Sequence, residues 1–248
     1  MIRLITFTDE NMTIAADKLD KSAREHGADD VAIYTPENLD GHFMTSSLLP
    51  ILEGSRGYSW WIWKPYIILG HMMVACKEGD ILIYSDAGQE IKASLKAIVN
   101  AMDEDIMFFT NGFQHSHWCK KEVAKSINHQ YSFDNAEFNS SYPSFKQVQA
   151  SFIIFHVTDK VKEFVKEWYA WSLMPGMIDN TPRGDQFPEF REHRHDQAIL
   201  TCLQIKYGYK LHWFPSTTNL HRSPPELGYY SEKFGVTIIH HRKRNNEY

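Results

Sequence analysis

The sequence predicts an α/β protein, a single domain with a central, mainly parallel sheet flanked by helices. Three observations carry this. Short runs of β-branched and aromatic residues alternate with longer amphipathic runs. The first three elements read strand, helix, strand, at a spacing that suits a right-handed βαβ unit with parallel strands. The run "DILIYS", residues 80–85, is apolar without alternation, as expected of a strand covered on both faces.

The elements follow in order. "IRLITFT" (2–8) is rich in β formers. In "NMTIAADKLDKSAREHG" (11–27), Ile14, Ala15, Leu19 and Ala23 recur at helical spacing, and Gly27 is a stop. "DDVAIYT" (29–35) is the second strand. "PYIILGHMMVACKEG" (65–79) is helical, with Pro65 in its first turn. After "DILIYS" come a helix in "IKASLKAIVNAM" (91–102) and a strand in "DIMFFT" (105–110). "QASFIIFHV" (149–157) is a strand. "DKVKEFVKEWYAWSL" (159–173) is a helix with Val161, Phe164, Val165 and Trp168 on one face. "DQAILTCLQIKYG" (196–208) is a helix closed by Gly208, and "YKLHWF" (209–214) and "VTIIHH" (236–241) are late strands. Residues 174–195 read as one long loop, a length that is often functional. "NLHRSPPELGYY" (219–230) reads as a connection or a cover for a substrate. No repeat, low-complexity tract or Gly/Ser linker divides the 248 residues, so one domain over 1–248 is expected.

Composition narrows the function. The net charge is −5, which argues against a nucleic-acid binder, and the tail "RKRNNEY" is short enough to read as a solvated end. No signal peptide is evident, and the longest apolar stretch, around "YIILGHMMVAC", is short for a bilayer and carries His71. Three well-separated cysteines, Cys76, Cys119 and Cys202, suit a reducing compartment. A cytoplasmic protein is expected, with association to a membrane surface left open. The seven tryptophans supply buried area and also suit carbohydrate or base platforms.

Three places carry chemistry. "GDILIYSDAG" ends a buried strand on Asp86 beside the small Ala87 and Gly88. In open α/β sheets, ligands bind beyond the carboxyl ends of strands, and a carboxylate there is a hard-cation ligand beside a diphosphate. A strand-terminating turn accounts for the same residues. "WIWKPY" puts Lys64 at a helix N-terminus, where a cation opposes the dipole unless an anion lies between them; Arg56 is a second candidate charge. "EHRHDQAIL" gathers His193, Arg194, His195, Asp196 and Gln197, and suits proton transfer or hydroxyl recognition, with Asp196 also placed to be a helix N-cap. "HSHWC" imitates zinc spacing through His115, His117 and Cys119, but shows no fourth ligand nearby and closes poorly.

Together, "GYSWWIWKPYII", "GDILIYSDAG", "QASFIIF" and "EHRHDQAIL" resemble, in order and over nearly the whole chain, a group of GT-A-fold glycosyltransferases of bacteria and large viruses. In that fold an Asp-x-Asp element, or a form with one acid, holds a divalent metal and the sugar-nucleotide diphosphate. The resemblance assigns that acid to Asp86. Tyr84 stands at the other acid's position, so the implied ion, Mn²⁺ or Mg²⁺, is either held more loosely or less strictly required. Ser59 stands where the aromatic motif has Gly. By the same resemblance Thr6, Phe7 and Thr8 face the nucleotide, and Arg56, Trp63, Lys64, Ser85 and Asp86 surround the diphosphate. Arg194, His195 and Gln197 meet the donor sugar or acceptor. A late His completes the metal site; His240 and His241 are the candidates, with His241 preferred. Strand alternation lets only one of them point there.

The implied activity is hexosyl or pentosyl transfer from a UDP- or GDP-sugar to a glycan or glycolipid hydroxyl. About 1–110 would bind the nucleotide sugar and about 111–248 the acceptor. Asp196 is the candidate base of an inverting reaction; a retaining one needs none in that place. Two other classes remain in view. A metal-dependent phosphoesterase predicts several acids at other strand ends. A non-catalytic carbohydrate-binding protein explains the tryptophans but leaves Asp86 with Lys64 unexplained.

Overall fold

The computed structural model describes residues 1–39, 43, 56–129, 145–216, 237–241 and 243–248, the side chain of Arg56 excepted. The expected roles of Arg56 and of the 219–230 connection lie outside that set. The strands are β1 (Ile2–Phe7), β2 (Asp30–Tyr34), β3 (Ile81–Ser85), β4 (Gln89–Ile91), β5 (Ile106–Gln114), β6 (Lys146–Val148), β7 (Phe152–His156), β8 (Leu211–Trp213) and β9 (Ile238–His240). The helices are α1 (Thr13–Glu25), α2 (Trp63–Val74), α3 (Leu95–Val99), α4 (Lys121–Ile127), α5 (Asp159–Leu173) and α6 (His195–Tyr207). No helix among the described residues is long and apolar enough to cross a membrane.

The α/β class with a central sheet flanked by helices is what the chain adopts. Seven strands form that sheet, in the order β2-β1-β3-β7-β5-β6, with β8 also on β5. β1 pairs in parallel with β2 and β3, completing the expected βαβ unit, and β8 runs parallel to β5. β7 lies antiparallel between β3 and β5.

Alternation along the strands splits the core into two layers. Ile5, Leu82, Tyr84, Ile106, Phe108, Ile153 and Phe155 pack beneath α2, α4, α5 and α6. Leu4, Ile83, Met107, Phe109, Phe152 and Ile154 pack on the other face with α1 and α3. Trp168, fully buried, is the largest side chain of the first layer. Burial of each such aliphatic or aromatic group stabilises the fold by about 1.5–3 kcal/mol.

Local chemistry sets the helix ends. Thr158 caps α5, its side chain accepting the Val161 N–H at 3.2 Å. Gly208, in the left-handed region at φ 70°, closes α6 as expected.

Two expectations are corrected and a third is refined. The helix expected over 91–102 is confined to Leu95–Val99, because Gln89–Ile91 is drawn into antiparallel pairing with β9. Asp196 is not an N-cap: α6 starts at His195, behind Arg194, and Asp196 falls in its first turn. The C-terminal tail is exposed at 243, 244 and 246–248, as a solvated end is, but it is docked through Asn245. Asn245 accepts the Ile14 N–H at 3.0 Å and donates to Glu10 O and Thr13 Oγ1, both at 2.8 Å, so it supplies partners at the start of α1.

Candidate active site

Residues 57–61 turn in the left-handed sense, with φ of 66, 48, 73, 57 and 62° in succession. Non-glycine residues there cost roughly 1–2 kcal/mol each, so the surroundings must hold the turn. The Trp63 indole N–H donates to Gly57 O at 3.1 Å, and Ile62 N–H to Ser59 O at 3.1 Å. Gly57 is required twice over: its φ is positive, and a Cβ would lie 2.3 Å from the Trp61 ring. Ser59, where the aromatic motif has glycine, also has positive φ.

The turn delivers Lys64 into the first turn of α2, buried rather than open to solvent. Its Nζ donates to Ala150 O at 3.1 Å and lies 3.5 Å from Asp86 Oδ1 and 3.3 Å from Asp196 Oδ2. Tyr84 Oη donates to Asp86 Oδ1 at 2.7 Å. Asp86 N–H donates to Ser151 O at 2.8 Å, which ties the end of β3 to the beginning of β7. Asp86 is 37% exposed and faces the cleft, whereas the Asp196 side chain is only 6% exposed.

Burial sets the electrostatics. It pushes the Asp196 carboxyl up to about 6; Lys64 opposes the rise and Asp86 adds to it. For Lys64, burial works against the ammonium, but Asp196 and Asp86 outweigh it and the pKa lies above the usual value. Burial, reinforced by Asp86, holds Tyr84 neutral well above the ordinary phenol range.

Asp196 is fixed from behind. Trp168 Nε1 donates to its carbonyl at 3.1 Å, and Ala150 N–H donates to Gln197 Oε1 at 3.3 Å. His195, at φ 49°, packs its ring against Trp60 and Trp61 with centroids 4.4 and 5.4 Å away, and its Nδ1–H donates to Ile178 O at 2.8 Å. The long 174–195 loop is clamped by the fully buried Lys120, whose Nζ reaches Gly176 O at 2.7 Å and Asp179 Oδ1 at 3.0 Å. His193 accepts the Lys120 N–H through Nδ1 and donates from Nε2 to Met177 O; burial, with Lys120 and His195 adding, pushes its pKa well down.

A cleft of about 630 Å³ opens at the carboxyl ends of β1 and β3. Of the residues singled out in the sequence, Phe7, Thr8, Trp63, Lys64, Asp86, Arg194, His195, Asp196 and Gln197 line it. Phe7 stacks on Trp63 with centroids 4.0 Å apart. Thr6 and Ser85 are fully buried and do not line the cleft; Ser85 instead donates to Gln89 Oε1 at 2.7 Å. Of the late histidines, His240 lines the cleft, while His241 lies 3.3 Å from Tyr248 Oη. Tyr58, Trp61, Gln149, Ser151 and Arg244 line the cleft without having been singled out. The polar "QAS" ahead of an apolar strand was the available signal for two of them.

Among the described lining residues, Asp9, Asp86 and Asp196 stand against Lys64, Arg194 and Arg244. An added cation would favour a dianionic ligand against such a lining. One partly exposed carboxylate with an imidazole in the same wall fits a hard divalent ion whose remaining ligands come from the anion itself.

No protein-family model and no curated protein matches the chain. Many solved structures are similar to it, three of them as follows. The apo bifunctional glycosyltransferase WbbM matches at TM-score 0.49 and 12% identity, over 98% of this chain and 46% of its own, so this chain spans about half of it. Mouse xyloside xylosyltransferase 1, apo form, matches at 0.47 and 11%, over 100% and 99%. A glycosyltransferase involved in the glycosylation of the major capsid of PBCV-1 matches at 0.49 and 10%, over 99% and 96%.

Proposed function

We propose that this chain is a glycosyltransferase that moves a sugar from a nucleoside diphosphate donor, a UDP- or GDP-sugar, to a hydroxyl of a glycan or glycolipid. The observation that carries the reading is the cluster in which buried Lys64 sits between buried Asp196 and the partly exposed, cleft-facing Asp86 at the carboxyl end of the sheet. The stacked Phe7–Trp63 pair offers a flat apolar wall to a base, and the indoles beside His195 offer one to a sugar. The donor belongs to the first half of the chain and the acceptor to the loop and helix that follow it.

In this reading the acceptor hydroxyl gives its proton to the Asp196 carboxylate. Its oxygen forms a bond to the anomeric carbon as the bond from that carbon to the diphosphate oxygen breaks. The electron pair leaves on the diphosphate, and Lys64, behind Asp86, stabilises the charge that develops there. A carboxyl near 6 is well matched to this task at neutral pH. Asp86, with His240 in the same wall, would hold a Mn²⁺ or Mg²⁺ ion, which when bound supplies further positive charge at the departing diphosphate.

The test is thermal shift with a panel of nucleoside diphosphates and sugar nucleotides, with and without Mn²⁺, followed by assay of sugar transfer. Ligand at about 100 times its Kd stabilises by roughly 2.7 kcal/mol. Stabilisation by one nucleotide that requires the ion is expected. Stabilisation by free sugars alone would move the reading to a non-catalytic carbohydrate-binding protein.

A further inference from the structure

On the far side of α6, the structure brings together three side chains that the cleft does not use. His115 opens the turn after β5, Cys119 lies just past it, and Cys202 sits inside α6; all three are 0% exposed. His115 Nε2 is 3.4 Å from Cys202 Sγ, Cys202 Sγ is 3.8 Å from Cys119 Sγ, and all three ligand atoms lie within 4.8 Å of one another. His117, the other histidine of the "HSHWC" run, is not part of the group. The missing partner was remote, Cys202, rather than local.

We propose that His115, Cys119 and Cys202 form a structural zinc site. Tetrahedral zinc, with bonds of about 2.3 Å to sulfur and about 2.0–2.1 Å to nitrogen, holds its sulfurs about 3.8 Å apart and a sulfur and nitrogen about 3.5 Å apart. The His115–Cys202 and Cys202–Cys119 edges match those values. Charge selects the ion. Two thiolates, a neutral imidazole and a divalent cation sum to zero, which a fully buried site tolerates; a monovalent ion would leave a net buried charge. Soft sulfur ligands exclude Mg²⁺ and Ca²⁺. No fourth His, Cys, Asp or Glu among the described residues joins the group.

The consequence is mechanical. Cys202 lies six residues beyond Asp196 on α6, about 9 Å along the axis, so the ion would pin that helix to the end of β5. The site is independent of the donor-coupled ion proposed for the cleft, because thiolates take zinc and a diphosphate with a carboxylate takes Mn²⁺ or Mg²⁺.

The experiment is metal analysis of the full chain purified without chelator, with cobalt substitution as a second readout. About one zinc per chain is expected. Cys119→Ser and Cys202→Ser lose it, Cys76→Ser keeps it, and chelation lowers the melting temperature. Refolding the unmutated chain with Co²⁺ gives thiolate-to-cobalt charge-transfer absorption, which needs no variant to fold. Absence of both bound zinc and that absorption overturns the proposal. So does zinc that survives Cys202→Ser, or a Cys119–Cys202 disulfide in the active protein.

Discussion

Replacing Asp196 by Asn separates catalysis from stability. The carboxyl titrates at about 6 in the folded protein against 3.8 as its ordinary value, because it is buried. A folded-state pKa raised by about two units means that ionised Asp196 costs the fold about 3 kcal/mol. The sign follows from proton counts. Between those two values the folded state holds the proton and the unfolded state does not, so this contribution declines as pH rises from about 4 to 6 and is then constant. Asn copies the protonated form, leaving Lys64 its contacts with Ala150 O and Asp86. The variant should equal the parent in stability near pH 4 and exceed it by about 3 kcal/mol near pH 8, at roughly 2–4 °C of melting temperature per kcal/mol. Turnover should fall by about 10²–10⁴-fold, since an amide accepts no proton at neutral pH. The parent's kcat/KM should rise with pH through about 6, and the variant's residual rate should lack that inflection. The assays are melting curves across pH and initial rates of sugar transfer with NMR assignment of the product anomer. A variant less stable than the parent near pH 8 refutes the electrostatic argument. Near-parental turnover refutes the base, and slow turnover with lost donor affinity and retained configuration places Asp196 on the donor sugar instead.

Asp86→Asn should fold normally, the carboxylate being partly exposed, but lose Mn²⁺-dependent stabilisation by nucleotide; unchanged coupling in a melting assay counts against Asp86 as the ion's ligand. Lys64→Met leaves two carboxylates without their cation and should cost about 3–5 kcal/mol near pH 8, less near pH 5 as Asp196 takes up a proton, which denaturant melts at both values would show. His240→Ala should weaken Mn²⁺ in the nucleotide complex and His241→Ala should not, read by calorimetry; the reverse result restores the sequence preference for His241. Gly57→Ala should destabilise the fold by at least about 1 kcal/mol through its positive φ and its collision with Trp61, and shift Trp fluorescence; a silent substitution excludes the left-handed turn.

Much of the fold was legible because it rests on local rules. The apolar run 81–85 needed to be buried on both faces, the 3.6-residue repeat of 159–173 had one apolar side, and Gly208 closed its helix in a conformation that other residues avoid. Asp86 could be named as a candidate at a ligand-binding edge because it ends a buried strand next to small residues, although a turn accounts for the same pattern. The grouping of Arg194, His195, Asp196 and Gln197 was visible as composition alone.

What periodicity cannot express is which distant segments meet. β7 enters the sheet antiparallel, so the residues just before it, 149–151, lie at the same edge as the end of β3; an apolar run reads alike in either direction. Lys64 looked like a free cation at a helix start, and only the topology buries it between Asp86 and Asp196. That burial, not the identity of the residue, raises Asp196 to about 6 and makes it a candidate base. The strand at 89–91 and the docked tail depend likewise on partners far along the chain, β9 and the start of α1. Cys202 gives no local sign of joining His115 and Cys119. The sequence by itself determined the elements, because hydrophobic period and turn chemistry act over a few residues. The site was decided by the tertiary structure, because burial and Coulomb energy depend on distances that only the completed sheet sets.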